Sequence, residues 1–351
     1  MAKITAKDNF LKLFKGEMPA YVPFFTFTGA ETVPEVSYKT AAPGLFKTNP
    51  PNPDGSVTNM WGVTSYPTYG TQGANMPDPT KILLEDINDW REVLMDKPNF
   101  KDDLSKEGFE AMAKADLERI KIDRTQTALG SSCGFGPWMA LIGFMGFEGA
   151  MLNMALETET VKELLDWELS LYLPYIELAL DAYQPDIWVL SDDICTERAP
   201  FFSVAMLQDL FVPIYKRLVA PAVERGIPIM MHICGMIEPF VPDLIDVGVR
   251  CVEPAQQVND IQGLKEKYPN QMAYAGGYDW PKHMPDNYPD YDKEALVQDL
   301  REYIDEYAPG GMFASRVNPI SFPGDPNIAE LKQLLWDECL AYGKTFYGYS
   351  E

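Results

Sequence analysis

A short apolar run, Ile229-Met230-Met231, ends in His232-Ile233-Cys234-Gly235. On an extended strand, residues two apart point to the same side. His232 and Cys234 therefore project together at the point where the strand gives way to a turn. Imidazole nitrogen and thiolate sulfur are both good ligands for a borderline-soft ion such as zinc. The chain has only two histidines, His232 and His283, so one of them standing here is informative. The same pair also suits a hydrogen-bonded core histidine beside an inert buried thiol, and the local residues alone favour that plainer reading.

These residues need elements to place them. From residue 125 onward, short apolar strands alternate with amphipathic helices. Strands are expected over 125–129, 186–190, 227–232, 250–253, 272–275 and 312–315. Helices are expected over 138–156, 160–182, 204–225, 237–247, 260–268, 293–307 and 328–342. Ahead of them lie a short helix over 5–14 capped by Thr5, an apolar strand over 22–27, and helical patterns over 82–95 and 106–120. Residues 41–79 are rich in Pro, Gly, Asn, Thr and Tyr, and carry Trp61, Tyr66 and Tyr69. So many aromatics suit an ordered wall or lid better than a disordered linker. Alternating strands and helices imply a parallel sheet. Counting the N-terminal strand and one inside the irregular region gives eight, the number of a (β/α)8 barrel. The expectation is one domain over 1–351, with a long irregular N-terminal excursion. An open doubly wound sheet is the second choice, since no Gly-x-Gly-x-x-Gly follows the first strand.

In such a barrel, chemistry sits at the carboxyl ends of the strands. Those ends carry Thr28, Ser132 and Cys133, Asp192 and Asp193, His232 and Cys234, Glu253, Tyr278 and Asp279, and Arg316 and Asn318. An aspartate after a strand is often only a turn or cap residue, so Asp192 and Asp193 read equally well either way. Glu253 follows its strand directly, which favours a functional role. The glycines of Gly276-Gly277-Tyr278-Asp279 suit a close approach of backbone to ligand. Aromatics near the same ends include Phe24, Phe25, Phe27, Trp61, Trp138, Phe201, Phe202, Trp280 and Phe322. Most belong in a core, yet a third of them would make an apolar pocket. No Gly-x-Ser-x-Gly elbow, phosphate loop or zincin helix motif occurs.

Composition removes several function classes. With 351 residues and 46% hydrophobic content, the chain can bury a large core. Its net charge of -23 argues against nucleic acid and anionic membrane surfaces, which need clustered Lys and Arg. A highly carboxylated substrate would require a local gathering of basic residues. No apolar run approaches the roughly 20 residues needed to span a bilayer, and the first residues lack the apolar core of a signal peptide. Five scattered cysteines, an odd number, read as reduced thiols in the cytoplasm.

With the strand order in hand, the chain resembles the uroporphyrinogen decarboxylase superfamily. The carriers are Gly136-Pro137-Trp138, Leu190-Ser191-Asp192-Asp193, Pro200-Phe201-Phe202-Ser203 and Leu210-Phe211-Val212-Pro213, followed by His232-Ile233-Cys234-Gly235, Gly276-Gly277-Tyr278-Asp279 and Pro323-Gly324-Asp325-Pro326-Asn327-Ile328. The decarboxylases carry an arginine-rich segment after the first strand. Here that region is Phe27-Thr28-Gly29-Ala30-Glu31, with no basic residue before Lys39. The other branch is similar to corrinoid-dependent methyltransferases, whose zinc sits on a His-x-Cys pair plus a later cysteine. His232 and Cys234 match the pair, but Arg316-Val317-Asn318 stands where the later cysteine is expected. The resemblance implies zinc on His232 and Cys234, with Glu253, Cys195 or Asp193 as third ligand. Asp193 or Glu253 would complete or orient the metal, and Asp193, Tyr278 and Asp279 form the expected catalytic and substrate-positioning set. The implied activity is aryl methyl ether O-demethylation, with the methyl passing to a corrinoid carried by a partner protein. A decarboxylase of a small organic acid and a non-catalytic ligand-binding barrel are the alternatives.

Overall fold

A computed structural model describes residues 3–26, 36–67, 75–278, 292–317 and 328–349. Eight parallel strands form its centre: β1 (Phe24–Phe25), β2 (Tyr38–Thr40), β3 (Ala128–Ser131), β4 (Ile187–Ser191), β5 (Ile229–His232), β6 (Val249–Glu253), β7 (Ala273–Ala275) and β8 (Phe313–Arg316). They are hydrogen-bonded in the order β1-β8-β7-β6-β5-β4-β3-β2. Across the remaining seam, the Ser37 N–H donates to the Phe24 carbonyl at 2.9 Å. The sheet is thus nearly closed, with helices outside it, and is a (β/α)8 barrel. Closure leaves little edge exposed, and both sheet faces are covered, which is why the strands read as apolar runs without alternation.

One strand lies elsewhere than expected. The second strand is Tyr38–Thr40, ahead of the irregular stretch and not inside it. A three-residue strand with two polar members, Lys39 and Thr40, gives almost no periodic signal, so only pairing with β3 identifies it. The irregular stretch instead builds a separate antiparallel sheet of Val57–Thr58, Thr64–Pro67 and Asn75–Pro77. Trp61 pins it to the barrel, 4% exposed, with ring centroids 5.4 Å from Phe144 and 5.8 Å from Trp167. It is an ordered wall.

A second correction concerns apolar length. The helix Pro137–Leu156 is long and apolar enough, by length and composition, to cross a bilayer. It is not one straight rod, because Gly146 inside it has a φ of 69°. Trp138, Leu141, Phe144 and Met145 bury one side of it in the main core.

The floor of the barrel is made by the first helix, Ala6–Phe14, which Thr5 caps by accepting from the Asp8 N–H at 2.9 Å. Phe10, Leu13 and Phe14 enter a cluster with Phe25, Tyr38, Ala128, Ile187, Met230, Cys251, Ala273 and Ala314. These are interior residues of all eight strands. The Phe10 ring lies 5.6 Å from Phe25 and 6.0 Å from Tyr38. Removing such a ring leaves a cavity and costs about 3–5 kcal/mol. Phe10→Ala should therefore lower the urea midpoint strongly without altering the mouth; an unchanged midpoint would show that the floor helix lies outside the cooperative unit.

Candidate metal centre

Strand alternation decides which side chains enter the barrel. Met230, Cys251 and Ala314 belong to the interior cluster above the floor helix. Two residues further on, His232, Glu253 and Arg316 share that orientation at the opposite, carboxyl end. On β4 two such steps run from Ile187 through Val189 to Ser191, with Asp193 just past the strand.

Three of these groups converge. The ligand atoms of Asp193, His232 and Cys234 all lie within 4.8 Å of one another. His232 Nε2 is 3.9 Å from Cys234 Sγ and 4.0 Å from Asp193 Oδ1. Ligand atoms around a tetrahedral zinc stand roughly 3.3–3.8 Å apart, given bond lengths near 2.0–2.3 Å. The nitrogen, sulfur and oxygen set therefore fits zinc with only a small inward movement. The loop is held ready for this. The Cys234 N–H donates to Asp193 Oδ1 at 2.9 Å. Gly235 turns the chain at φ 93°, where a Cβ would meet the Thr196 carbonyl at 2.5 Å. Asn259 donates to the Gly235 carbonyl at 2.9 Å.

Glu253 takes a different place from the one expected of a ligand. Its Oε1 lies 2.6 Å from His232 Nδ1, on the far side of the imidazole from the cluster. A carboxylate there fixes the ring and its tautomer and leaves Nε2 facing Cys234 and Asp193. Its other oxygen, Oε2, lies 3.6 Å from Arg316 Nε. Burial alone would lower the His232 pKa, but the charge of Glu253, with hydrogen bonds to Cys234 and Glu253, holds the imidazolium up to about 11. Burial raises the Cys234 thiol, partly offset by His232. A metal bound here displaces both protons.

The other candidates separate by position. Asp192 is 1% exposed and faces away from the mouth. It accepts from the Trp138 N–H at 2.9 Å, the Met139 N–H at 3.1 Å and Tyr215 Oη at 2.7 Å. Burial pushes it up to about 7 against those three donors. It anchors the start of the helix Pro137–Leu156, while its neighbour Asp193 faces the cluster. Tyr278 donates to the Asp299 carboxylate and packs 5.3 Å from Tyr303, both on the helix Lys293–Tyr307. These contacts run away from the mouth. Cys195 is buried and stands outside the metal cluster, its thiol pushed by burial up to about 12. Cys133, partly buried, lines a small cavity behind β4. Thr28, Asp279, Asn318, His283, Phe27, Tyr69, Trp280 and Phe322 lie outside the described residues. Trp138, Phe202 and Trp61 are core. The residue that the sequence did not single out as part of the centre is Arg316. Its signal was the same two-residue step, from Ala314, that marks His232 and Glu253.

Comparison with known proteins agrees with this architecture. A solved structure described as a methyltransferase from Methanosarcina mazei superposes with a TM-score of 0.63 at 14% identity, covering 99% of this chain and 100% of that one. At that identity the likeness is one of fold. No curated protein matches the chain. The family model described as Uroporphyrinogen decarboxylase (URO-D) matches residues 86–290. That span is more than half of the sequence and includes the whole His232 cluster, and the chain belongs to the uroporphyrinogen decarboxylase family.

Proposed function

We propose that this protein is a methyltransferase that removes a methyl group from a small methoxylated aromatic donor. The methyl passes to the reduced cobalt of a corrinoid carried by a separate protein, docked over the barrel mouth in the cytoplasm. The observation that carries this reading is the convergence of Asp193, His232 and Cys234 at the carboxyl ends of β4 and β5. Neither nucleic acid nor a membrane is needed as partner, in keeping with the acidic composition.

His232, Cys234 and Asp193 would hold zinc, and Glu253 would orient His232 from behind. Zinc held by these residues would supply Lewis acidity towards an ether oxygen, where negative charge develops on loss of the methyl group. One carboxylate in place of a second thiolate suits an oxygen leaving group better than a thiol. Asp193 and the Cys234 backbone keep the loop fixed through their hydrogen bond. The methyl leaves as a cation equivalent to cobalt, and the aryl oxygen leaves with the bonding pair. Tyr278 and Asp279 remain candidates for holding substrate; Tyr278 would act through the packing of β7 against its helix.

A decarboxylase of a small organic acid is the second reading, favoured by the family model over residues 86–290. Carbon dioxide released without any corrinoid protein would select it. A barrel that binds a ligand without turnover is the third.

Three measurements test this reading. Elemental analysis should find about one zinc per chain, lost in His232→Ala, Cys234→Ala and Asp193→Ala. Glu253→Gln should keep the site but bind zinc about 10–100-fold more weakly. Zinc retained by Asp193→Ala and lost from Glu253→Ala would make Glu253 the third ligand instead. With reduced cobalamin and a methoxylated aromatic, the zinc-loaded protein should form methylcobalamin and the free phenol. Full demethylation by a zinc-free His232→Ala variant would sink the proposal.

The metal-free protein should also show a pH signature. The folded His232 pKa, about 11, lies above its ordinary value of 6.5. The stability from its pairing with Glu253 is thus complete below pH 6.5 and is lost as pH rises towards 11. The difference in urea stability between wild type and Glu253→Gln, measured in chelator, should shrink across that range. A difference independent of pH would contradict the pairing.

A further inference from the structure

We propose that Gln256 and Asn259, on the loop after β6, are positioning residues for the metal centre, fixing the direction of the Cys234 thiol before a metal ion arrives. This role rests on Asp193, His232 and Cys234 holding the metal, and it adds what sets their affinity for it. Peptide planes are rigid, so the two planes flanking a Cα set where its side chain points. Both planes flanking Cys234 are pinned. The one before it is held by the Cys234 N–H, which donates to Asp193 Oδ1 at 2.9 Å. The one after it is held by the Gly235 N–H, which donates to Gln256 Oε1.

The pinning continues along the turn. The Gly235 carbonyl accepts from Asn259 Nδ2 at 2.9 Å, and the Met236 N–H of the same plane donates to the Thr196 carbonyl at 2.8 Å. The Ile237 N–H donates to Asn259 Oδ1 at 2.8 Å. At the start of the turn, the Ile233 N–H donates to the Glu253 carbonyl at 2.8 Å. Each peptide plane from His232–Ile233 to Met236–Ile237 thus has a partner outside the turn. Asn259 is 4% exposed, and its amide is fully used. The oxygen accepts from Ile237, and the nitrogen donates both to Gly235 and to the Gln256 carbonyl, the latter at 3.0 Å. An aspartate there would set two carbonyls against a group with nothing to donate.

The clamp is itself fixed from behind. Asp260 caps the helix Ile261–Lys267, accepting from the Gly263 N–H at 2.9 Å, and its own N–H donates to Glu238 Oε1 at 2.8 Å. The two flanks of the turn differ in what a metal does to them. Asp193 Oδ1 also faces His232 Nε2, at 4.0 Å, so a bound metal draws on the same oxygen that holds the Cys234 N–H. Gln256 and Asn259 hold backbone groups for which no metal competes. A thiol already aimed avoids the cost of ordering its loop on binding.

The test is titration of zinc and cobalt(II) into metal-stripped protein against a competing chelator, under conditions where each variant is folded. Gln256→Leu and Asn259→Asp should bind zinc about 10–100-fold more weakly than wild type. Their cobalt(II) forms should show a weaker sulfur-to-cobalt charge-transfer band. Gln256→Glu keeps the oxygen that accepts from Gly235 and should bind zinc at least as tightly as wild type. Val258→Ala, 40% exposed on the same loop, should leave zinc binding unchanged. Should Asn259→Asp fail to fold, Gln256→Leu carries the same expectation on its own, since that side chain is only partly buried. A lower urea midpoint with zinc affinity and cobalt spectrum intact would make both residues merely structural and overturn the proposal. So would equal weakening by Gln256→Leu and by Gln256→Glu or Val258→Ala. A wild type that binds no metal would defeat the reading of the centre and this inference with it. Equal zinc affinity in wild type and Gln256→Leu would defeat this inference alone.

Discussion

Glu253 is a fully buried carboxylate, and the arrangement of the mouth depends on how it is matched. Taking an ionised carboxylate out of water costs several kcal/mol unless partners compensate it. Here the compensation comes from two strands at once, His232 of β5 at 2.6 Å and Arg316 of β8 at 3.6 Å. The first contact fixes the imidazole, and the imidazole in turn points Nε2 at Cys234 and Asp193. The second gives β8 a cation at the same height. Take Glu253 away and both partners lose the group that orients them.

The barrel separates the demands of stability and chemistry along its axis. At the amino ends of the strands, the Phe10 ring and small interior residues make a dry floor. At the carboxyl ends the interior positions turn polar, from Met230 to His232, from Cys251 to Glu253 and from Ala314 to Arg316. A residue two steps along a strand is enough to pass from one regime to the other. This explains why Asp192 and Asp193, adjacent in sequence, serve different ends. One caps a helix behind the sheet, and the other faces the mouth.

Much of this was legible in the residues. The helix and strand periods from residue 125 onward gave the barrel, because each buried strand is apolar and each helix has one apolar face. The short strand Tyr38–Thr40 was harder, since a three-residue strand carries no period. The second strand was accordingly sought in the wrong place, within 41–79. The helix Pro137–Leu156 escaped notice as a long apolar segment because Glu148 and Asn153 interrupt its run of apolar side chains. Glu253 was rightly placed at the mouth, but the side of His232 on which it stands is a matter of strand packing. Tyr278 was read from its place past a strand end, and the partner of its hydroxyl, Asp299 on the helix Lys293–Tyr307, was not legible from that position.

The sequence by itself determined the fold class, the family resemblance and the pairing of His232 with Cys234, because these depend on period and spacing along one strand. Only the tertiary structure decided which carboxylate joins that pair and which stands behind it. Asp193, Glu253 and Arg316 come from three separate strands, up to 123 residues apart in sequence (316 − 193). Their distances are set by barrel closure and register, which no local pattern encodes.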